Sequence, residues 1–150
     1  MKIRKASTSD TAVIADFNAR IAWETERLKL NRARVHRGVV ALLKDKSKGI
    51  YFVAEEKGVI AGQLLITYEW SDWRNGNFWW IQSVYVAPEF RQQGVFRALF
   101  AHVRKLAKGR RDVCGLRLYV DADNARAQRA YKRLGMELSR YEIFEMDFVL

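Results

Sequence analysis

The sequence predicts a mixed α/β domain built around a mostly antiparallel sheet. Apolar residues recur at helical spacing in the N-terminal part, β-rich runs separated by turn signals follow, and strand and helix patterns then alternate. A helix pair, an antiparallel meander and a strand–helix–strand–helix–strand series together define a layered mixed architecture. A length of 150 residues favours one domain over 1–150.

The N-terminal part predicts an edge strand and two helices. Residues 2–6 are short enough for an edge strand, and Thr8-Ser9-Asp10 is a helix start signal with a hydroxyl cap and an early carboxylate. The helix after this signal is predicted to end near Ala22, and its apolar positions are Ile14, Phe17 and Ile21. A second helix is predicted over residues 31–43.

Three strands of a meander are predicted next, over residues 50–54, 59–68 and 78–86. Lys57-Gly58 and Asn75-Gly76-Asn77 are the turn signals between them. The third strand is nearly all apolar or aromatic, which is typical of a central strand buried on both faces.

The C-terminal part predicts a helix over residues 94–107, a strand over 116–120 and a helix over 124–134 that Gly135 ends. Residues 137–149 alternate enough to predict one or two closing strands.

Composition narrows the classes of function. The net charge of +10 suits either nucleic acid or an anionic cofactor, and the basic residues are spread along the chain. We therefore favour a solvated surface that attracts an anionic cofactor, and we do not expect nucleic acid as a partner. No stretch approaches the roughly 18 apolar residues of a membrane helix, and no apolar region of a secretory signal follows the basic N-terminus.

The cysteine content indicates the cellular compartment, and the spacing of the histidines argues against a bound metal ion. Cys114 is the only cysteine, which excludes an intramolecular disulfide and indicates a reducing, cytoplasmic location. His36 and His102 have no zinc-binding spacing, so no metal is expected.

Residues 84–99 are the most informative stretch. They read as a buried strand, a turn at Pro88 and a loop that opens directly into an amphipathic helix. A helix N-terminus offers backbone N–H groups and a positive dipole end, and these bind phosphate. Arg91 adds a positive charge, and Gly94 allows the backbone to approach a ligand closely.

This stretch resembles the phosphate-binding segment of the GNAT family of N-acetyltransferases. Those enzymes hold the pyrophosphate of acetyl-CoA on an Arg/Gln-x-x-Gly-x-Gly/Ala loop, and residues 91–96 fit all positions but the last, where Phe96 stands. Residues 124–136 resemble the family segment Asn-x-x-Ala-x-x-x-Tyr-x-x-x-Gly-Phe, with Met136 replacing the final Phe. The order of predicted elements also matches. The resemblance implies the GNAT fold, with helices on both faces of its mixed sheet.

The resemblance also implies a binding site for acetyl-CoA. Strand 78–86 would part from strand 116–120, the pantetheine arm would lie in the gap, and a backbone N–H within residues 84–86 would face the acetyl carbonyl. The Phe96 ring could crowd the phosphates or point into the core. The residues expected to contact acetyl-CoA are Val84, Tyr85, Val86, Arg91, Gln92, Gln93, Gly94, Val95, Phe96, Arg97, Asn124 and Tyr131.

Two residues are the catalytic candidates, Tyr131 and Glu69. The family counterpart of Tyr131 is the general acid that protonates the departing thiolate, although the spacing also suits a core tyrosine. A family base is often a Glu on a central strand, but residues 79–83 contain no carboxylate, and Glu69 is the nearest substitute. Glu24 and Glu26 are the next candidates.

Aromatic residues alternate with carboxylates in residues 68–73 and 23–26, a character that favours a cationic ligand but also fits ordinary hairpin packing. We therefore expect an acetyl-CoA-dependent N-acetyltransferase that acts directly on a primary amine of a small cationic molecule. The alternatives are acetylation of a protein N-terminus or lysine, and a non-catalytic module that binds CoA or nucleic acid. A homodimer is left open.

Overall fold

The structure is a computed structural model that describes residues 1–150. The chain forms two compact units, residues 1–118 and 119–150. The first unit contains β1 (Lys2–Lys5), α1 (Thr11–Glu26), α2 (Arg32–Lys44), β2 (Ile50–Glu56), β3 (Val59–Ser71), β4 (Gly76–Val86), α3 (Val95–Lys108) and β5 (Val113–Arg117). The second unit contains α4 (Ala125–Arg133). A single domain over 1–150 stays a prediction.

The sheet has the order β1-β2-β3-β4-β5. The three pairings from β1 to β4 are antiparallel, and β4 pairs with β5 in parallel. The prediction of a mixed, mostly antiparallel sheet is therefore confirmed.

Both faces of this sheet carry helices, as expected. Tyr51 on β2 packs in a buried cluster with Ile14 of α1 and Val39 of α2. The next residue along β2, Phe52, points to the opposite face because side chains alternate along a strand. The Phe52 ring meets the ring of His102 on α3 edge-on, with the two centroids 5.4 Å apart.

A glycine draws the start of α3 close to the sheet. A Cβ built at Gly62 on β3 would lie 2.9 Å from Cγ1 of Val95 and 2.8 Å from the carbonyl oxygen of Tyr85. Any larger residue would push the helix N-terminus away from the end of β4.

Short-range signals placed several boundaries correctly. The Asn31 side chain caps α2 by accepting a hydrogen bond from Arg34 N, and Asn124 caps α4 by accepting one from Ala127 N. Lys57 and Gly58 both have positive φ, at 50° and 81°, as a two-residue hairpin turn between β2 and β3 requires.

Three boundaries were wrong by several residues. α1 continues past Ala22 to Glu26, because no breaker intervenes before Arg27, which adopts φ 53°. β5 starts at Val113, not Leu116, since an Arg110–Asp112 ion pair at 2.8 Å closes a tight turn after α3 and pairing begins at once. The second hairpin turns over residues 72–75, so Gly76 already belongs to β4.

Closing strands were predicted over residues 137–149, but within the second unit this stretch contains no helix or strand. No helix of the structure is both long and apolar enough to cross a membrane.

Candidate functional site

A β-bulge interrupts β4 in its second half. Leu65 pairs with Gln82 and Gln63 pairs with Tyr85, so two residues of β4, Ser83 and Val84, lie opposite one residue of β3. Ser83 has φ 48°, in the left-handed region that non-glycine residues seldom adopt. A bulge bends its strand and turns backbone groups out of the ladder.

Buried side chains behind the bulge hold it in place. The fully buried Gln63 donates from Nε2 to the Ser83 carbonyl at 3.2 Å and to Asn18 Oδ1 at 2.9 Å. Asn18 on α1 donates in turn to the Tyr51 hydroxyl at 2.9 Å. Burial raises the pKa of Tyr51, and hydrogen bonds from Asn18 and Ser83 oppose part of that rise. This network joins α1, β2, β3 and the bulge.

β4 and β5 pair over only part of their length. Their parallel register runs from Asn77↔Val113 to Trp80↔Arg117, where β5 ends, whereas β4 continues to Val86. The edge of β4 past Trp80 is therefore not covered by β5. The resemblance implied that strands 78–86 and 116–120 part; the ladder between β4 and β5 ends at Trp80 and Arg117, and the parting beyond it stays a prediction.

Beyond β4, the chain makes the loop that enters α3. A short 3-10 turn over Pro88–Phe90 comes first, and Gln92 and Gly94 then adopt φ 64° and 79°. The first bond of α3 runs from Ala98 N to Gly94 O at 3.0 Å. The backbone N–H groups before Ala98 therefore have no acceptor within the helix. A Cβ at Gly94 would meet nothing within 4 Å, so the loop borders open space.

Arg91 links this loop to the end of α1. Its Nε donates to the Val86 carbonyl at 3.0 Å, and its Nη2 donates to Glu24 Oε2 at 2.8 Å. The other carboxylate oxygen of Glu24 accepts a hydrogen bond from the Tyr85 hydroxyl at 2.8 Å. The guanidinium also lies over the Tyr85 ring, 5.6 Å from its centroid.

These contacts set the charge state of the cluster. Burial acts to raise the pKa of Glu24, but hydrogen bonds from Tyr85 and Arg91 outweigh it and leave that pKa below its usual value. Burial, followed by the bond to Glu24, raises the pKa of Tyr85. At neutral pH the carboxylate is therefore charged and the phenol keeps its proton.

Comparison with known proteins identifies this architecture. The model of the acetyltransferase (GNAT) family matches residues 14–136, which is most of the chain. The chain belongs to the GNAT family. Membership of this family supports the conclusion that the chain is an acyl-transfer enzyme.

Two solved GNAT structures resemble the chain along nearly its whole length. A possible acetyltransferase from Clostridium difficile 630 is 41% identical, with a TM-score of 0.92 over 99% of this chain and 98% of that one. A predicted acetyltransferase from Clostridium acetobutylicum, solved with acetyl-CoA, has a TM-score of 0.77 at 20% identity and covers 97% of this chain and 95% of its own.

Among curated proteins, a mycothiol acetyltransferase from Corynebacterium aurimucosum is 28% identical over 127 residues. The match covers 81% of this chain but only 41% of that protein. The chain thus spans less than half the length of this curated relative.

Tyr131 and Asn124, the C-terminal site residues predicted for this GNAT chain, both belong to the second unit. Asn124 caps α4, its Oδ1 accepting from Ala127 N at 3.0 Å. Tyr131 lies half-buried on α4, and burial raises the pKa of its phenol. Their roles stay predictions.

Glu69, on β3, lies far from the bulge. It pairs with Phe78, five positions before Ser83, which at about 3.3 Å per residue is about 17 Å. Its carboxylate accepts a hydrogen bond from Arg117 Nη1, and the Arg117 guanidinium stacks 3.7 Å from the Phe78 ring centroid.

The aromatic and acidic residues expected around the amine fall into two groups. Glu69, Trp70, Asp72 and Trp73 lie at the β3–β4 connection, where Trp73 is 83% exposed. Glu24 instead contacts Tyr85, near the other end of β4. The structure does not bring these groups together.

The Phe96 ring packs along α3 against Phe100, one turn further, with the two centroids 6.0 Å apart. No group of three or more His, Cys, Asp or Glu side chains that could hold a metal ion is found in the structure.

Sequence reasoning missed Gln63, Asn18 and Ser83. One signal was present: Gln63 is a lone polar residue within the apolar run of β3, and a buried polar side chain needs hydrogen-bond partners.

Proposed function

We propose that this chain transfers the acetyl group of acetyl-CoA directly to a primary amine of a small cationic molecule. One arrangement carries the proposal: a bulged strand extends beyond its pairing with its parallel neighbour and leads into a glycine loop at a helix N-terminus. Bound acetyl-CoA supplies a thioester that an amine can attack, and the chain holds and orients both partners.

The uncovered edge of β4 is the proposed seat of the pantetheine arm. Backbone groups that no strand covers can pair with the amides of an extended ligand. Val84, Tyr85 and Val86 supply these groups next to the bulge. A backbone N–H there would stabilise the negative charge that develops on the acetyl oxygen.

The loop from Arg91 to Arg97 is the proposed pyrophosphate site. Open space at Gly94 and the positive end of the α3 dipole both suit an anion. Arg91 has five N–H donors, and its bonds to Val86 and Glu24 use two of them. The remaining donors can meet a phosphate.

Proton transfer requires an acid for the thiolate and a base for the amine. We propose Tyr131 as the acid, since a phenol keeps its proton at neutral pH and can give it to a departing thiolate. Glu69 remains the base predicted from the sequence. The strand register favours Glu24 for a part in amine deprotonation, because Glu24 contacts Tyr85, two residues past the bulge.

The acceptor is proposed to be cationic because an aromatic ring and an ionised carboxylate, those of Tyr85 and Glu24, lie beside the bulge. Aromatic faces and carboxylates both attract an ammonium group.

A thiol-release assay with acetyl-CoA tests the proposal. We expect acetylation of at least one small diamine or polyamine, and no comparable rate with neutral amines of the same length. Faster acetylation of peptides through a free N-terminus or lysine would replace the small acceptor with a protein. Tight acetyl-CoA binding without acetylation of any amine would identify a non-catalytic module.

A further inference from the structure

A fully buried glutamine on β3 lies directly behind the bulge of β4. The Nε2 of Gln63 donates to the Ser83 carbonyl at 3.2 Å and to Asn18 Oδ1 at 2.9 Å. Its Oε1 accepts no hydrogen bond within the first unit. A buried carbonyl oxygen without a donor lowers stability, and an apolar side chain of the same shape would carry no such oxygen. Stability alone therefore does not account for a glutamine at this position.

Ser83 is the residue that this glutamine holds. Its φ of 48° is unfavourable for a serine and persists only where surrounding contacts enforce it. The enforcing hydrogen bonds form a closed ring. Gln63 bonds to the Ser83 carbonyl and to Asn18. Asn18 donates to the Tyr51 hydroxyl at 2.9 Å, and that hydroxyl is hydrogen-bonded to Ser83. Side chains from α1, β2 and β3 thus converge on one residue of β4.

The Ser83 carbonyl and the Val84 N–H belong to one peptide group. A trans peptide is planar, so its C=O and N–H bonds point in opposite directions. The carbonyl points towards the Gln63 side chain on β3, and the Val84 N–H therefore points away from β3. Since β4 lies between β3 and β5, this N–H is aimed at the edge of β4 where the ladder with β5 has already ended, at Trp80.

We infer that the oxyanion donor is the N–H of Val84 and that Gln63 is its positioning residue. The inference rests on the proposed function, in which a backbone N–H of residues 84–86 meets the acetyl oxygen. Gln63 acts through the rigid peptide between Ser83 and Val84. It fixes the direction of the N–H before acetyl-CoA arrives, so the donor needs no rearrangement while negative charge develops on the oxygen.

The loss of Gln63 has a consequence that separates positioning from general support of the fold. Without its donor, Ser83 can return to an ordinary extended φ, and the peptide then turns the Val84 N–H away. Acetyl-CoA loses a hydrogen bond that CoA never makes, because only the acetylated cofactor carries the carbonyl oxygen. A fold that is merely loosened would bind both ligands more weakly. The ratio of the CoA Kd to the acetyl-CoA Kd therefore reports on the aimed N–H.

Titration calorimetry with CoA and with acetyl-CoA tests this on the wild type and on Gln63→Met, because methionine has a similar length and shape but no N–H donor. We expect the Kd of CoA to stay within about twofold. The Kd of acetyl-CoA should rise about two- to tenfold, the net effect of one hydrogen bond. With the best amine, kcat should fall roughly tenfold to a hundredfold, less than for complete removal of an oxyanion donor, while the KM of the amine changes by less than about threefold.

Gln82→Met is the matched control. It makes the same substitution at the residue before Ser83, where Nε2 donates to Thr67 Oγ1 and not to the bulge. It should leave the ratio of the two Kd values unchanged. An unchanged ratio in Gln63→Met, an equal loss of affinity for both ligands, or the same fall of the ratio in Gln82→Met would overturn the inference. A wild-type chain that does not bind acetyl-CoA would overturn the proposed function and this inference with it, which distinguishes the two failures.

Tyr51→Phe is the second variant, because its ring keeps its place in the buried cluster with Ile14 and Val39. Only the hydroxyl that bonds to Asn18 and Ser83 is lost. The ratio of the two Kd values should fall in the same direction, by about two- to threefold. If circular dichroism shows that Gln63→Met does not fold, this variant decides alone, and an unchanged ratio in Tyr51→Phe overturns the inference.

Discussion

Reversing the charge of Arg91 is the sharpest test of where the phosphates bind. Arg91 is bonded to the Val86 carbonyl and to Glu24, beside the loop that enters α3. Arg91→Glu removes a cation from the proposed pyrophosphate site and adds an anion. Two unit charges at about 4 Å interact by about 1 kcal/mol in water and more near a protein surface. A change of two charge units should therefore weaken acetyl-CoA binding by about 2–4 kcal/mol, or roughly 30- to 1,000-fold.

The assay is thermal unfolding with and without acetyl-CoA. At a ligand concentration of about 100 times its Kd, a ligand bound only to the folded state adds about 2.7 kcal/mol. For a chain of this size the Tm rises about 2–4 °C per kcal/mol, so the wild-type Tm should rise by about 5–11 °C. With a Kd raised at least 30-fold, the same concentration should raise the Tm of Arg91→Glu by no more than about 3 °C.

Each variant is compared with its own ligand-free Tm, because the half-exposed Arg91–Glu24 pair contributes at most about 1 kcal/mol to folding. Arg104→Glu makes the same charge reversal at an exposed position of α3 outside the loop, and it should keep nearly the full rise. Glu24→Gln should act in the opposite direction and tighten acetyl-CoA binding by about two- to fivefold, because Arg91 is then released from a competing carboxylate. An undiminished rise in Arg91→Glu, or weaker binding in Glu24→Gln, would refute this placement of the phosphates.

Three further predictions concern proton transfer and folding. Tyr131→Phe should lower turnover roughly tenfold to a thousandfold with little change in acetyl-CoA affinity; near wild-type turnover, with product release shown not to limit the rate, would leave Tyr131 a packing residue. Glu69→Gln should shift the pH–rate profile of the best amine towards alkaline pH if Glu69 is the base; an unchanged profile points to Glu24, Glu26 or a water chain. The hydrogen bond from Arg4 chiefly lowers the pKa of the buried Asp10, so this pair stabilises the fold above the unfolded pKa of about 4 and loses that effect as pH falls through the lower folded pKa. Arg4→Met should therefore cost about 2 kcal/mol of unfolding free energy at pH 7 and much less near pH 3; equal losses at both pH values would contradict this.

The features that the sequence predicted correctly are those with short-range causes. Asn31 and Asn124 cap helices through their own side chains, and Lys57-Gly58 forms a turn because both residues adopt positive φ. The order of these elements then indicates a mixed sheet with helices on both faces.

The features that escaped prediction depend on distant residues. Ser83 adopts φ 48° inside a strand, and no local signal announces it, since the Gln63 side chain that holds its carbonyl lies 20 residues away. Glu24 meets Tyr85 and Arg91 across 61 and 67 residues, through the way α1 crosses the sheet.

This difference explains why a cofactor site is easier to find in the sequence than a proton-transfer site. Phosphate is bound largely by backbone N–H groups at a helix start, and a strand, a loop and a glycine in succession are enough to create them. A base must come within hydrogen-bond reach of one nitrogen, which is a property of side chains on separate elements. Glu69 was chosen for its nearness in sequence, yet strand register puts it about 17 Å along β4 from the bulge, while Glu24 meets the strand two residues past it. The pH–rate profiles of Glu69→Gln and Glu24→Gln therefore test which carboxylate is the base. Glu69 was chosen from the sequence, and Glu24 is the one that the fold brings near the bulge.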